Sequence, residues 1–134
     1  MEPQSSDLTQ LRAALEAGQK DLRFLKLGEI DGLDLDLSGC NLDGSCFKEA
    51  RFGHATLRGA QAYRCCFQRA LIWGADLSEL DAPSSCWHEA DLSGSRLQGA
   101  NFSHALGTSQ FLEFQRLVLH RQFMGSLPLA VKPL

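Results

Sequence analysis

From Leu27 onward, every fifth residue of this chain belongs to one class. The series reads Leu27, Gly32, Leu37, Leu42, Phe47, Phe52, Leu57, Ala62, Phe67, Ile72, Leu77, Ala82, Trp87, Leu92, Leu97, Phe102, and thirteen of its sixteen members are large and apolar. Two places before each centre runs a second series, from Leu25 through Cys40, Ser45, Ala50 and Cys65 to Ala100, in which twelve of sixteen are Ala, Ser or Cys. Neither series holds a charged residue, although a chain that is 22% charged would place about seven among 32 positions. Neither an α-helix, with a period of 3.6, nor a plain strand, with a period of two, keeps every fifth residue on one side. Each unit is therefore expected to form one short extended side and then turn a corner, sending a small and a large residue inward from every side.

The other three positions face out and carry nearly all the charge and the glycines. The residue just before the centre is often a short polar one: Asp31, Asp36, Asn41, Asp76, Asp81, Asp91 and Asn101. Such side chains bond to nearby backbone and, with Gly, suit tight turns.

The units Ala50-Arg51-Phe52, Ala75-Asp76-Leu77, Ala90-Asp91-Leu92 and Ala100-Asn101-Phe102 resemble the A(D/N)Lxx units of the pentapeptide-repeat family. The resemblance covers residues 20–106 in unbroken register. It implies an all-β solenoid, a right-handed quadrilateral β-helix of about four coils with four units in each coil of about 20 residues. Two units depart from the pattern. Gly32 is a poor centre, flanked by the alternating run from Leu33 to Leu37, and the unit beginning at Leu80 exchanges its large and small residues, so that Leu80 must fill the volume Ala82 leaves.

A solenoid needs caps, because each end otherwise presents an open apolar layer and unpaired backbone. Residues 1–19 read as an N-terminal capping helix over Leu8 to Ala17, N-capped by Ser6 or Asp7, with Leu8, Leu11 and Leu15 on one stripe and Gly18 as its stop. Residues 107–134 leave the five-residue register and read as a C-terminal helix or tail carrying Phe111, Phe114 and Leu117. That segment is apolar on more than one side, which serves either a lid, with residues 126–134 folded over it, or homodimerisation.

With 20 residues per coil, residues 20 apart share a column about 4.8 Å in spacing. Cys46, Cys66 and Cys86 form one such column, with Lys26 at its head. It admits a metal or redox reading, with His88 nearby, or a ladder of small packed side chains. A line of ligands does not suit tetrahedral zinc, and no metal or cofactor is assigned. Cys40 and Cys65 fall in the inward series and read as core. Leu71 and Trp73 flank the inward Ile72 and face solvent together. Trp73 either lies down across its small column neighbours Gly53 and Ser93 or anchors a partner.

The four histidines, His54, His88, His104 and His120, do not recur at ligand spacing, no phosphate-binding glycine loop is present, and a convex, self-filled solenoid offers no pocket for a nucleophile and its base. The expectation is a non-enzymatic protein-interaction or scaffolding module, cytoplasmic, with reduced thiols, an unidentified protein partner, no direct nucleic acid binding and no membrane insertion. The odd count of five Cys and a net charge of −3 agree with that. The family resemblance implies an alternative, a DNA-mimicking modulator of DNA gyrase. Mimicry requires a continuous acidic face, and Arg51, Arg58, Arg64 and Arg69 interrupt the stripe begun by Asp31, Asp34, Asp36 and Asp43.

Overall fold

The backbone accounting of one five-residue unit explains the whole molecule. In a computed structural model that describes residues 5–107 and 132–133, the unit 76–80 uses all five of its N–H groups. Asp76 N–H bonds down to Ala55 C=O at 3.0 Å, while Leu77 and Glu79 bond up to Arg96 and Gln98, each at 2.8 Å. Leu80 N–H closes the corner on Leu77 C=O at 3.1 Å. The remaining donor, Ser78 N–H, is taken by the Asp76 carboxylate at 3.0 Å.

That last bond is why the position before the centre favours Asp and Asn. The same side-chain closure is made by Asp21, Asp31, Asp36, Asn41, Thr56, Asp91 and Asn101. Asp81 opens a unit in which Pro83 occupies the donor position and has no N–H to satisfy.

Repetition of this unit winds a solenoid. Fourteen parallel bridges join residues 20 apart, from Asp21 with Asn41 to Cys86 with Leu106. Four units therefore make a coil, and four sides stack as columns. Each unit contributes only one bridging residue to the ladder, because its other four belong to the corner. The extended side expected from the sequence is thus shorter than a regular strand. Regular strands occur only where β1, Leu106–Gly107, pairs in parallel with β2, Lys132–Pro133, among the described residues.

Each corner places its third residue at positive φ, at seventeen consecutive repeats from Phe24 to His104, eleven of them not glycine. A non-glycine residue there costs on the order of 1 kcal/mol or more. The cost is tolerated because that residue's own N–H is fixed into the ladder, as with Glu79.

All sixteen centres are buried, and so are thirteen of the sixteen small positions, with Leu25, Ala90 and Ser95 half-buried. Aromatic rings fill the side centred on Leu27, Phe47, Phe67 and Trp87. Phe67 stacks on Trp87 at 4.2 Å and on Phe47 at 5.3 Å between centroids. The buried Trp87 indole N–H donates to Ser85 Oγ, which donates onward to Ala82 C=O. Inward serines also open corners in the neighbouring coil: Ser45 Oγ accepts from Leu25 N–H and donates to Leu22 C=O, and Ser95 does the same for Ala75 and Ile72.

Both irregular units are absorbed. A Cβ on Gly32 would stand 2.6 Å from the Phe52 ring, so Phe52, one coil on, occupies the space the missing side chain leaves. Leu80 and Ala82 are both fully buried, and Asp81 bridges to Gln61 below and Asn101 above without a break.

The N-terminal helix α1 spans Ser5–Glu16, with Asp7 in its first turn. It starts earlier than a cap at Ser6 or Asp7 allows. Both residues lie inside the helix, where Asp7 acts on the helix dipole instead. The stop is at Gly18, at φ +85, where Gly18 N–H bonds to Leu15 C=O and Gln19 N–H to Ala14 C=O in a Schellman motif. Leu11 is buried with the core cluster, and Leu15 packs against that cluster.

Candidate functional site

Two outward features stand apart from a surface otherwise built of turn-closing Asp, Asn, Ser and Gly. The first lies on the side centred on Gly32, Phe52, Ile72 and Leu92. Leu33 (45% exposed), Leu71 (42%) and Trp73 (39%) are its exposed apolar residues. Trp73 lies over Gly53, one coil below, where a Cβ would meet the indole at 2.5 Å. Its ring packs edge-on against His54, with centroids 4.6 Å apart and planes at 82°. His54 in turn lies against Gly74, whose added Cβ would be 3.0 Å from the imidazole. Glycines at 53 and 74 thus seat a flat Trp–His pair. Leu71 bridges to Arg51 below and Asp91 above, which puts charges of opposite sign at the edges of the apolar strip.

The sequence pairs Leu71 with Trp73 by their flanking of Ile72. It does not find His54, whose signal was the 20-residue column that puts it beneath Gly74. Tyr63 (43%) and Phe24 (72%) are also exposed but stand on the side centred on Leu22, Leu42 and Ala62, beside Arg64 and Arg23 respectively. Phe111, Phe114 and Leu117 lie outside the described residues.

The second feature is the column Cys46, Cys66 and Cys86, on the side centred on Phe47, Phe67 and Trp87. Parallel bridges join Cys46 to Cys66 and Cys66 to Cys86, with Lys26 before and Leu106 after them. All three thiols are free and half-buried. Burial pushes the Cys66 thiol up. The Gln68 N–H works against that, taking at the sulfur the place it would otherwise take at an Asp carboxylate. Cys65, on the inward series, is pushed by burial up to about 12, and its thiol donates to Leu42 C=O. Among the described residues no group of three or more His, Cys, Asp or Glu side chains is arranged to hold a metal ion.

A groove of about 270 Å³ lies between α1 and the first coil, lined by Leu11, Ala14, Leu22, Leu25 and Leu27, with Asp7 and Lys26 among its polar residues. The long-range charge pattern is even: within residues 20–106 each of the four sides carries three acidic residues, accompanied in turn by three, three, one and two basic ones. Ion pairs such as Arg58–Asp76 at 3.9 Å and Arg69–Glu89 at 3.6 Å run along the columns. No described helix is long and apolar enough to cross a membrane.

A parallel solenoid of five-residue units, each with a buried small and large residue and an Asp or Asn closing its corner, defines the class of protein. The pentapeptide-repeat family model matches in 8 copies over residues 36–74 and 88–109, and the chain belongs to that family. The interval between the two matched stretches contains the exchanged Leu80–Ala82 unit, through which the ladder nevertheless continues. Similar solved structures include a pentapeptide repeat protein from the Arabidopsis thaliana thylakoid lumen, 20% identical over 76% of this chain and 75% of that one, with a TM-score of 0.45. Another, from Nostoc Pcc 7120, is 22% identical over 92% and 94% of the two chains, with a TM-score of 0.42. A third is QnrB1, a plasmid-mediated fluoroquinolone resistance protein, 16% identical over 80% and 90%, with a TM-score of 0.39. No curated protein matches the chain.

Proposed function

We propose that this protein is a non-enzymatic, cytoplasmic interaction module: a right-handed quadrilateral β-helix of about four coils that presents one side to a protein partner. The observation that carries the reading is the Trp73–His54 pair seated on Gly53 and Gly74 and flanked by exposed Leu71 and Leu33. Trp is enriched among residues that dominate binding energy, and a rigidly seated ring loses little freedom on binding. Arg51 and Asp91, bridged to Leu71 on either side, supply the polar rim that such interfaces have. The even spread of charge favours this reading over a mimic of duplex DNA, which needs one continuous acidic face.

The test is affinity capture from native cytoplasm with wild type and Trp73→Ala side by side, read by mass spectrometry, with a gyrase supercoiling assay on the wild type. Trp73→Ala is expected to melt as the wild type does and to lose a specific partner, with an affinity cost of about 2 kcal/mol or more. A partner retained by Trp73→Ala rules out this side as the interface. Gyrase inhibition without a captured partner favours the duplex mimic.

A further inference from the structure

The side that carries Trp73 is complementary to itself. Arg51 lies one rung below Leu71 and Asp91 one rung above, each about 4.8 Å away, so equal steps from Leu71 lead to opposite charges. Among the described residues the Arg51 side chain has no ion pair, and Asp91 spends one carboxylate oxygen on Ser93.

The relief of the surface has the same antisymmetry. Below the Leu71 rung it is raised, because Trp73 leans down over Gly53 and His54 leans up over Gly74 with the two rings in contact. Above that rung it is hollow. Ser93 and Gly94 are exposed, and a Cβ on Gly94 would meet nothing nearer than the Gly74 backbone at 3.8 Å.

A two-fold axis that crosses the side at the height of Leu71 inverts a second copy and sets each column against its own counterpart. Leu71 then meets Leu71 of the second copy, and Arg51 meets its Asp91 twice over by symmetry. Each Trp73–His54 ridge enters the hollow over the other copy's Ser93 and Gly94. Other placements fail on charge. An axis at the height of Arg51 or of Asp91 opposes like charges, and one midway between Arg51 and Leu71 sets Asp31 against Asp91. An axis midway between Leu71 and Asp91 presses that carboxylate onto leucine, and an axis along the solenoid brings Asp31 to Asp34.

We propose that this protein self-associates through this side as an antiparallel, isologous dimer centred on Leu71 and Trp73. This identifies the partner of the side assigned above as a second copy of the chain, and it rests on that assignment. One side is a single unit wide and falls short of the roughly 800 Å² per partner of a standard interface, so the dimer is weak and exchanges readily.

The test is sedimentation equilibrium of the full chain over a wide concentration range at low salt, with thermal melts to show that each variant is folded. Wild type is expected to pass reversibly from monomer to dimer. Arg51→Glu and Asp91→Arg each bring like charges together twice and should weaken self-association about a hundredfold or more. Mixed in equal amounts, these two variants should form a heterodimer of near wild-type affinity, since every charged contact is then between opposite signs. Trp73→Ala should weaken association about thirtyfold or more. Ser93→Tyr fills the hollow and should leave a monomer with Trp73 intact. A wild type that stays monomeric overturns self-association; if it still captures another protein through Trp73, the side is the interface and only its partner is wrong. A dimer indifferent to Arg51→Glu and Trp73→Ala forms through another surface and overturns the contact. Folded charge variants that associate neither alone nor when mixed overturn the antiparallel register.

Discussion

Two sides of the solenoid share a backbone but differ in every other respect. The side centred on Leu37, Leu57, Leu77 and Leu97 has an aliphatic core column, and Asp36, Thr56 and Asp76 close its corners from outside. The side centred on Leu27, Phe47, Phe67 and Trp87 has a stacked aromatic column, and outside it stand Lys26 and three cysteines, with no Asp, Asn or Thr before any centre. The ladder is equally regular on both. The fold is therefore set by inward volume and the φ pattern of the corners. The turn-closing carboxylate is a local increment that a side can forgo, leaving the position open for other chemistry.

The strongest way to break the comparison is inside. Phe67→Asp would bury an unpaired carboxylate between Phe47 and Trp87, and the cooperative melt is expected to vanish, a loss of more than about 4 kcal/mol. Leu57→Ala on the aliphatic side leaves a cavity worth about 3 kcal/mol but keeps a cooperative, lower-temperature melt. A cooperative melt in Phe67→Asp would mean the inward register has been misassigned.

Outside, the effects shrink and their sign differs between sides. Asp76→Ala strands the Ser78 N–H and should cost about 1–2 kcal/mol in urea unfolding. Cys66→Asn does the reverse, supplying a stronger acceptor for Gln68 N–H, and should raise stability by about 0.5 kcal/mol. If both substitutions destabilise equally, the corner bond is not what distinguishes the two sides.

Most of the inward architecture is legible in the sequence because charge is excluded from two columns of every unit, and volume repeats with them. Asp and Asn before the centre are equally legible as turn residues, although the donor they satisfy emerges only when all five N–H groups of a unit are followed. The places that resist reading depend on contacts 20 residues away. Gly32 looks defective until Phe52 is seen above it, and His54 looks like an unremarkable corner residue until Trp73 rests against it. The start of α1 differs from the expectation of a cap at Ser6 or Asp7 because a short polar residue suits the first helical turn as well as the cap, and both residues lie within Ser5–Glu16.

Acid is the mildest probe, and it acts on one side alone. Hydrogen bonds from Ser38, with Lys20 nearby, hold the Asp36 carboxyl below its ordinary value. At Asp76 burial opposes ionisation, but hydrogen bonds from Ser78, helped by Arg58 and Arg96, outweigh it and also bring the carboxyl down. A carboxyl depressed in the folded state stabilises the fold at pH above the unfolded value of about 3.8, and that contribution fades as pH falls through the lower folded value. The cysteine side has no carboxylate in the equivalent positions. The double variant Asp36→Asn/Asp76→Asn keeps an acceptor for both corner N–H groups while removing both titrations. Its melting temperature should lie slightly below wild type at neutral pH, and the gap should close as pH is lowered from about 5 to about 2. Parallel curves over that range would show that the carboxylates close their corners as neutral acceptors do, and that the two sides differ only in core and in cysteine.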